Sequence, residues 1–211
     1  MTVTESIAVF LDHRQDRVEV SSLQTYEFWL RRWETWRRKR RISPALSDVS
    51  LDELKKYFRS MKQQGLSPES QASAWRILKS LWRLLDRRGL LTEEQRTFFN
   101  EDGLARPRVP DVIRPLYDDA TIEKLIVACK DNDPEREARN KTIILLLWES
   151  GMRVSELCSM QDELTDLARR RAVIIGKGRK QRWVYWHARA ADELARYLEY
   201  RRGQIGGALL R

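Results

Sequence analysis

Along the first hundred residues the apolar positions recur at intervals of three and four. Tyr26, Trp29, Leu30, Trp33 and Trp36 form one face of a helix that starts near Ser21-Ser22, the spacing that burial on one side requires. A shorter apolar pattern, Ile7, Val9, Phe10 and Leu11, precedes it. A further helix is predicted from Ser50-Leu51-Asp52-Glu53, a capping box, to Gly65. The next opens on Ser67-Pro68 and carries Trp75, Leu78, Leu81, Trp82 and Leu85 to Gly89. A short one follows the capping-box pattern Thr92-Glu93-Glu94-Gln95. No strand signal precedes residue 100, so residues 1–100 read as an all-helical unit of about four helices with short connections. Helical spacing favours the core for the aromatic stripe, against a stacking platform for single-stranded bases.

Periodicity breaks over residues 101–118, where Gly103, Pro107, Pro110 and Pro115 argue for an extended linker. Beyond it a helix near Asp119 holds Ile122, Leu125, Ile126 and Cys129. Another, from about Pro134 to Ser150, contains Ile143-Ile144-Leu145-Leu146-Leu147-Trp148, a run apolar enough to lie deep in a core. Gly151 punctuates, and residues 153–160 read as a short helix. Residues 161–170 are ambiguous. Ala172-Val173-Ile174-Ile175 and Arg182-Trp183-Val184-Tyr185-Trp186 read as strands joined by the turn Gly176-Lys177-Gly178. Residues 190–202 return to helix before Gly203, Gly206 and Gly207 loosen the chain. The fold class is mainly α with a small antiparallel hairpin or sheet: a helical unit, a linker, and an α+β unit over residues 119–211.

Charge narrows the partners. Forty lysines and arginines face 31 acids, for a net +9, divided as 21 − 15 = +6 over residues 1–110 and 19 − 16 = +3 over residues 111–211. Two basic halves favour a polyanion, nucleic acid first. Arg37-Arg38-Lys39-Arg40-Arg41 is too dense for helix capping alone and reads as phosphate contacts, with an import signal as a further reading. Lys55, Lys56, Arg59 and Lys62, with Arg76, Lys79, Arg83 and Arg87, fall on polar helix faces that suggest a DNA-facing surface. Arg106 and Arg108 are placed to track a backbone from the linker. The apolar fraction of 42% excludes wholesale disorder. Cys129 and Cys158 lack metal-ligand spacing and read as free buried thiols, and His13 and His187 are not grouped with them. No metal or nucleotide cofactor is called for, and no P-loop is present. With neither a signal pattern nor a run of membrane-spanning length, the chain reads as cytoplasmic.

Two stretches carry chemistry: Gly151-Met152-Arg153-Val154-Ser155-Glu156-Leu157 and Ile175-Gly176-Lys177-Gly178-Arg179-Lys180-Gln181-Arg182. Arg153 and Lys177 lie 177 − 153 = 24 residues apart, close enough in a folded chain to grip one phosphate. A guanidinium donates two parallel bonds to phosphate oxygens and stays protonated, and an ammonium can give a proton to a leaving oxygen. The pair resembles the tyrosine recombinases, the phage-integrase and Xer-type family. The resemblance implies Arg153 as the first catalytic arginine, Lys177 as the hairpin general acid, Glu156 as a buttress behind them, and Arg179, Lys180 and Arg182 as nearby phosphate contacts. It implies a four-helix, SAM-like core-binding domain and a catalytic domain that close as a clamp on double-stranded DNA. Full-length relatives assemble as tetramers on DNA.

The same family uses a His-x-x-Arg motif and a late tyrosine nucleophile. His13 is followed at the third position by Asp16 and His187 by Ala190, and Tyr185, Tyr197 and Tyr200 lack the nucleophile's setting. On this resemblance the chain is expected to match the amino-terminal two-thirds of an integrase, to stop within the catalytic domain, to bind DNA without cutting it, and to self-associate weakly. A DNA-binding accessory or regulatory protein derived from an integrase is the competing reading. A type IB topoisomerase-like protein, which shares the arginine–lysine chemistry, fits the compact helical unit less well.

Overall fold

Thr2 and Glu5 cap each other: the Thr2 amide donates to the Glu5 carboxylate at 2.7 Å and the Glu5 amide to the Thr2 hydroxyl at 3.2 Å. This reciprocal cap starts α1 (Val3–Gln15). The computed structural model describes residues 1–100, 102–111, 116–176 and 180–201, in two units, residues 1–113 and 114–211. In the first unit α1 is followed by α2 (Val20–Lys39), α3 (Leu51–Gln63), α4 (Pro68–Arg87) and the single turn α5 (Glu93–Arg96). Periodicity predicts four helices with α5 among them; the structure adds α1, whose inward Val3, Ile7 and Phe10 span only two turns.

The first core is built from aromatic rings, two of which reach backbone carbonyls. Trp33 meets Trp82 edge-on at 5.8 Å, and the Trp29, Trp33 and Trp36 stripe is buried. Trp82 Nε1 donates to the Gln95 carbonyl at 3.0 Å and Trp75 Nε1 to the Leu104 carbonyl at 2.8 Å. Leu104 is itself buried with Phe98 and Phe99, so packing of the first unit runs past residue 100 into the stretch expected to be linker. Gln95 is nearly sealed; its side-chain amide donates to the carbonyls of Leu46 at 2.7 Å and Val49 at 3.0 Å, pinning the α2–α3 connection to α5.

The second unit holds α6 (Asp119–Ala128), α7 (Pro134–Ser150), α8 (Val154–Cys158), the strands β1 (Thr165–Asp166), β2 (Arg171–Ile175) and β3 (Gln181–Tyr185), and α9 (Ala188–Tyr200). The sheet is antiparallel in the order β1-β2-β3, with Ala172 opposite Val184, Val173 opposite Trp183 and Ile174 opposite Arg182. β1 lies in the ambiguous segment; two residues carry no periodicity to read. Ala172, Ile174 and Val184 point inward with Trp186 against Leu145, Leu146, Leu157, Leu194 and Tyr197. The apolar run of α7 is only partly buried, because six successive positions cover the whole circumference of a helix and only one face meets the core. Leu145 and Leu146 are sealed while Trp148 is 42% exposed. The cysteines also depart from expectation: Cys129 is half-buried and Cys158 exposed, since each falls at a helix end. Pro115, Arg202, Gly203, Gly206 and Gly207 lie outside the described residues. No described helix is long and apolar enough to cross a membrane.

Candidate functional site

α7 ends at Gly151, whose left-handed φ of 61° is open to glycine at little cost. The turn buries Met152 and brings Arg153 to the start of α8 with an extended backbone. One turn later the Glu156 side chain, 4% exposed, folds back under it. The Arg153 amide donates to Glu156 Oε2 at 2.7 Å and Arg153 Nη1 to Oε1 at 3.0 Å. From β3, Arg182 Nη2 donates to Oε2 at 3.0 Å. The carboxylate is buried while the Arg153 side chain above it is 72% exposed and that of Arg182 44% exposed. The Arg153 amide, then its guanidinium and the charge of Arg182, hold the Glu156 carboxyl below the usual range against the opposing effect of burial. The group is therefore a fixed negative charge at neutral pH.

The hairpin approaches the same carboxylate. A Cβ built on Gly176 would lie 3.2 Å from Glu156 Oε1, so a side chain there would press on the buried oxygen. The Gly176 amide donates to the Lys180 carbonyl at 2.8 Å, and Lys180 is exposed. Lys177 and Arg179 lie outside the described residues. The structure thus gathers Arg153, Glu156, Gly176 and Arg182. Arg182, expected on phosphate, spends a donor on Glu156. No linear signal marks that contact across 26 residues, and the closeness of Gly176 is equally invisible in the sequence.

In the first unit the basic run separates by exposure. Arg37 is a correction: its Nε lies 2.7 Å from Glu53 Oε1, its Nη2 donates to the Ser43 carbonyl at 2.8 Å, and the residue is 3% exposed. It is sealed away from any phosphate. Glu53 was expected to complete a capping box; only the Ser50 half forms, at 3.2 Å from the Glu53 amide, because the carboxylate turns inward to Arg37. Arg38, Lys39, Arg40 and Arg41 are exposed, as are Arg106 and Arg108. Arg40 stacks over Trp36 at 4.4 Å, and Arg41 has a φ of 55°.

On α4 the set divides again. Arg76, Arg83 and Arg87 are exposed, whereas Lys79 donates to the Phe99 carbonyl at 3.1 Å and lies over Trp75 at 4.7 Å. On α3 Lys55, Arg59 and Lys62 are exposed, and Lys56 meets Asp52 at 2.7 Å on the surface. A groove of about 500 Å³ between α2 and α4 is lined by Arg76, Lys79 and Arg83 with the hydroxyls of Thr25, Ser73 and Ser80, and by no carboxylate. Cations and hydroxyls without an acid suit an anionic backbone. Among the described residues no three His, Cys, Asp or Glu side chains converge as metal ligands.

Residues 117–208 match the phage integrase family. The chain is 30% identical over 152 residues to the tyrosine recombinase XerC of Bacillus pumilus (strain SAFR-032), covering 72% of this chain and 48% of that one. It is 31% identical over 169 residues to XerD of Rhizobium meliloti (strain 1021), covering 78% and 52% respectively. The chain thus spans about half the length of these two relatives. Among solved structures, the Tn1549 transposon integrase in complex with transposon right end DNA has the same fold, at a TM-score of 0.71 and 23% identity over 96% of this chain and 66% of that one. Arg153 and Glu156 stand at the head of α8 with β3 against them, and the stretch that holds them, residues 117–208, is a domain of the phage integrase family, in a chain similar to the Xer tyrosine recombinases.

Proposed function

We propose that the chain binds duplex DNA as part of a site-specific tyrosine recombinase, in which strands are cut and rejoined through a phosphotyrosyl intermediate. Arg153 takes the phosphate to be exchanged, Glu156 holds Arg153 from behind, and Lys177 gives a proton to the leaving oxygen. Arg38, Lys39, Arg40 and Arg41, with Arg76, Arg83, Arg106, Arg108, Arg179 and Lys180, contact flanking phosphates. The observation that carries this reading is an open guanidinium fixed on a sealed carboxylate: Arg153 at 72% exposure over Glu156 at 4%. Such an arginine has its orientation set from below and its remaining donors free for an anion.

The 211 residues contain no His-x-x-Arg, and Tyr197 is buried while Tyr185 and Tyr200 sit on a strand and at a helix end. This polypeptide is therefore proposed to bind without cleaving; a covalent protein–DNA product formed by it alone would disprove that. Binding is tested by titrating salt against affinity for a duplex. Each lost phosphate contact lowers the slope of log affinity against log salt by about 0.9. The Arg76→Gln/Arg83→Gln variant is expected to lower it by roughly twice that, and Arg153→Ala by about one contact. Absence of duplex binding at low salt would remove the proposal.

A further inference from the structure

Glu156 receives more donors than Arg153 alone provides, and the surplus comes from Arg182. Oε1 takes Arg153 Nη1 at 3.0 Å; Oε2 takes the Arg153 amide at 2.7 Å and Arg182 Nη2 at 3.0 Å. If Arg153 turned its guanidinium fully to a phosphate, the buried carboxylate would keep the amide and Arg182. Without Arg182 it would keep the amide alone. An unmatched hydrogen bond to a charged group in a sealed site shifts an equilibrium by roughly one to two powers of ten. Charge points the same way. Arg153 with Glu156 is a neutral pair, whereas two guanidinium groups on one carboxylate leave a net positive charge facing solvent, which an incoming phosphate needs.

We propose that Arg182 is a positioning residue that holds Glu156 and so releases Arg153 for phosphate, rather than a phosphate contact in its own right. The register of β3, with Arg182 opposite Ile174, delivers the guanidinium to the carboxylate from the strand side. Gly176, with no side chain to intervene at the 3.2 Å approach, lets the hairpin lie against it. One carboxylate thereby couples the set of the β2–β3 hairpin to the freedom of Arg153. The inference rests on Arg153 taking a phosphate.

The test uses the full chain with ¹⁵N-labelled arginine. The Arg153 side-chain Nε–Hε signal, assigned by its loss in Arg153→Lys, is followed at duplex saturation, with saturation read separately from the anisotropy of a labelled duplex. In the parent chain the signal shifts on binding. In Arg182→Gln the fraction of Arg153 in the shifted state falls by an equilibrium factor of roughly ten. Arg182→Lys, which keeps a charge and a donor, recovers most of it. Glu156→Gln placed in the Arg182→Gln chain also recovers it, because the carboxylate that retained Arg153 is gone. If that double variant does not fold by circular dichroism, the lysine variant decides. An unchanged Arg153 response in Arg182→Gln, or no recovery in the folded rescue variants, overturns the proposal. A parent chain whose Arg153 signal ignores saturating duplex removes the phosphate reading and this inference with it.

Discussion

Glu53→Ala leaves the Arg37 guanidinium, 4% exposed, without its counter-charge, and roughly 3–5 kcal/mol of stability is expected to go with it. A lowered urea midpoint with an unchanged m-value is the measurement. The same arginine offers nothing to DNA, so an Arg37→Met/Glu53→Met chain should keep the parental salt slope. Glu156 gives the opposite case, a carboxylate beneath an open arginine. Its folded pKa is held below the ordinary value of 4.5, so it stays ionised in the folded chain to lower pH than in the unfolded one. Its contribution is complete above that ordinary value and is lost as the pH falls through the folded one. Glu156→Gln is expected to flatten this part of the acid-unfolding curve, followed by circular dichroism.

At the scale of elements, caps and periodicity set what forms. Thr2→Ala removes the hydroxyl that accepts the Glu5 amide at 3.2 Å, and α1 is expected to cost the first unit about 1 kcal/mol of stability in consequence, measured by thermal unfolding. The long helices α2, α3 and α4 are legible in the chain because each repeats its apolar positions over several turns, and α3 and α4 also carry a serine cap and a glycine stop. α1 is harder to see because its pattern is short, and β1 because two residues have no period. Side-chain pairing across elements is harder still. Nothing near Arg37 in the sequence shows that Glu53 faces it, or near Arg182 that Glu156 does. Both glutamates look like ordinary residues of a helix's first turn, and only packing decides that one turns inward to seal an arginine while the other supports an exposed one. Arg153 itself is legible because the glycine break and the glutamate three residues on are local.

For the molecule as a whole, the two cores are separate sets of residues. Residues 1–111 produced alone are therefore expected to unfold cooperatively as a helical unit. Ending that piece at residue 100 removes Leu104, which is 6% exposed, and the carbonyl that Trp75 Nε1 reaches at 2.8 Å. The shorter piece should lose about 2–4 kcal/mol, seen as a lower melting temperature. The tryptophans give the molecule a built-in optical reporter. Trp29, Trp33, Trp36, Trp75 and Trp82 are buried in the first core, while in the second unit only Trp186 is, and Trp148 and Trp183 already meet water. Emission from the first unit starts in an apolar setting and should move to longer wavelength as that unit opens; the second unit has far less to change. Fluorescence of the intact protein thus reads out one half of the chain, and circular dichroism at the same temperatures reads out both.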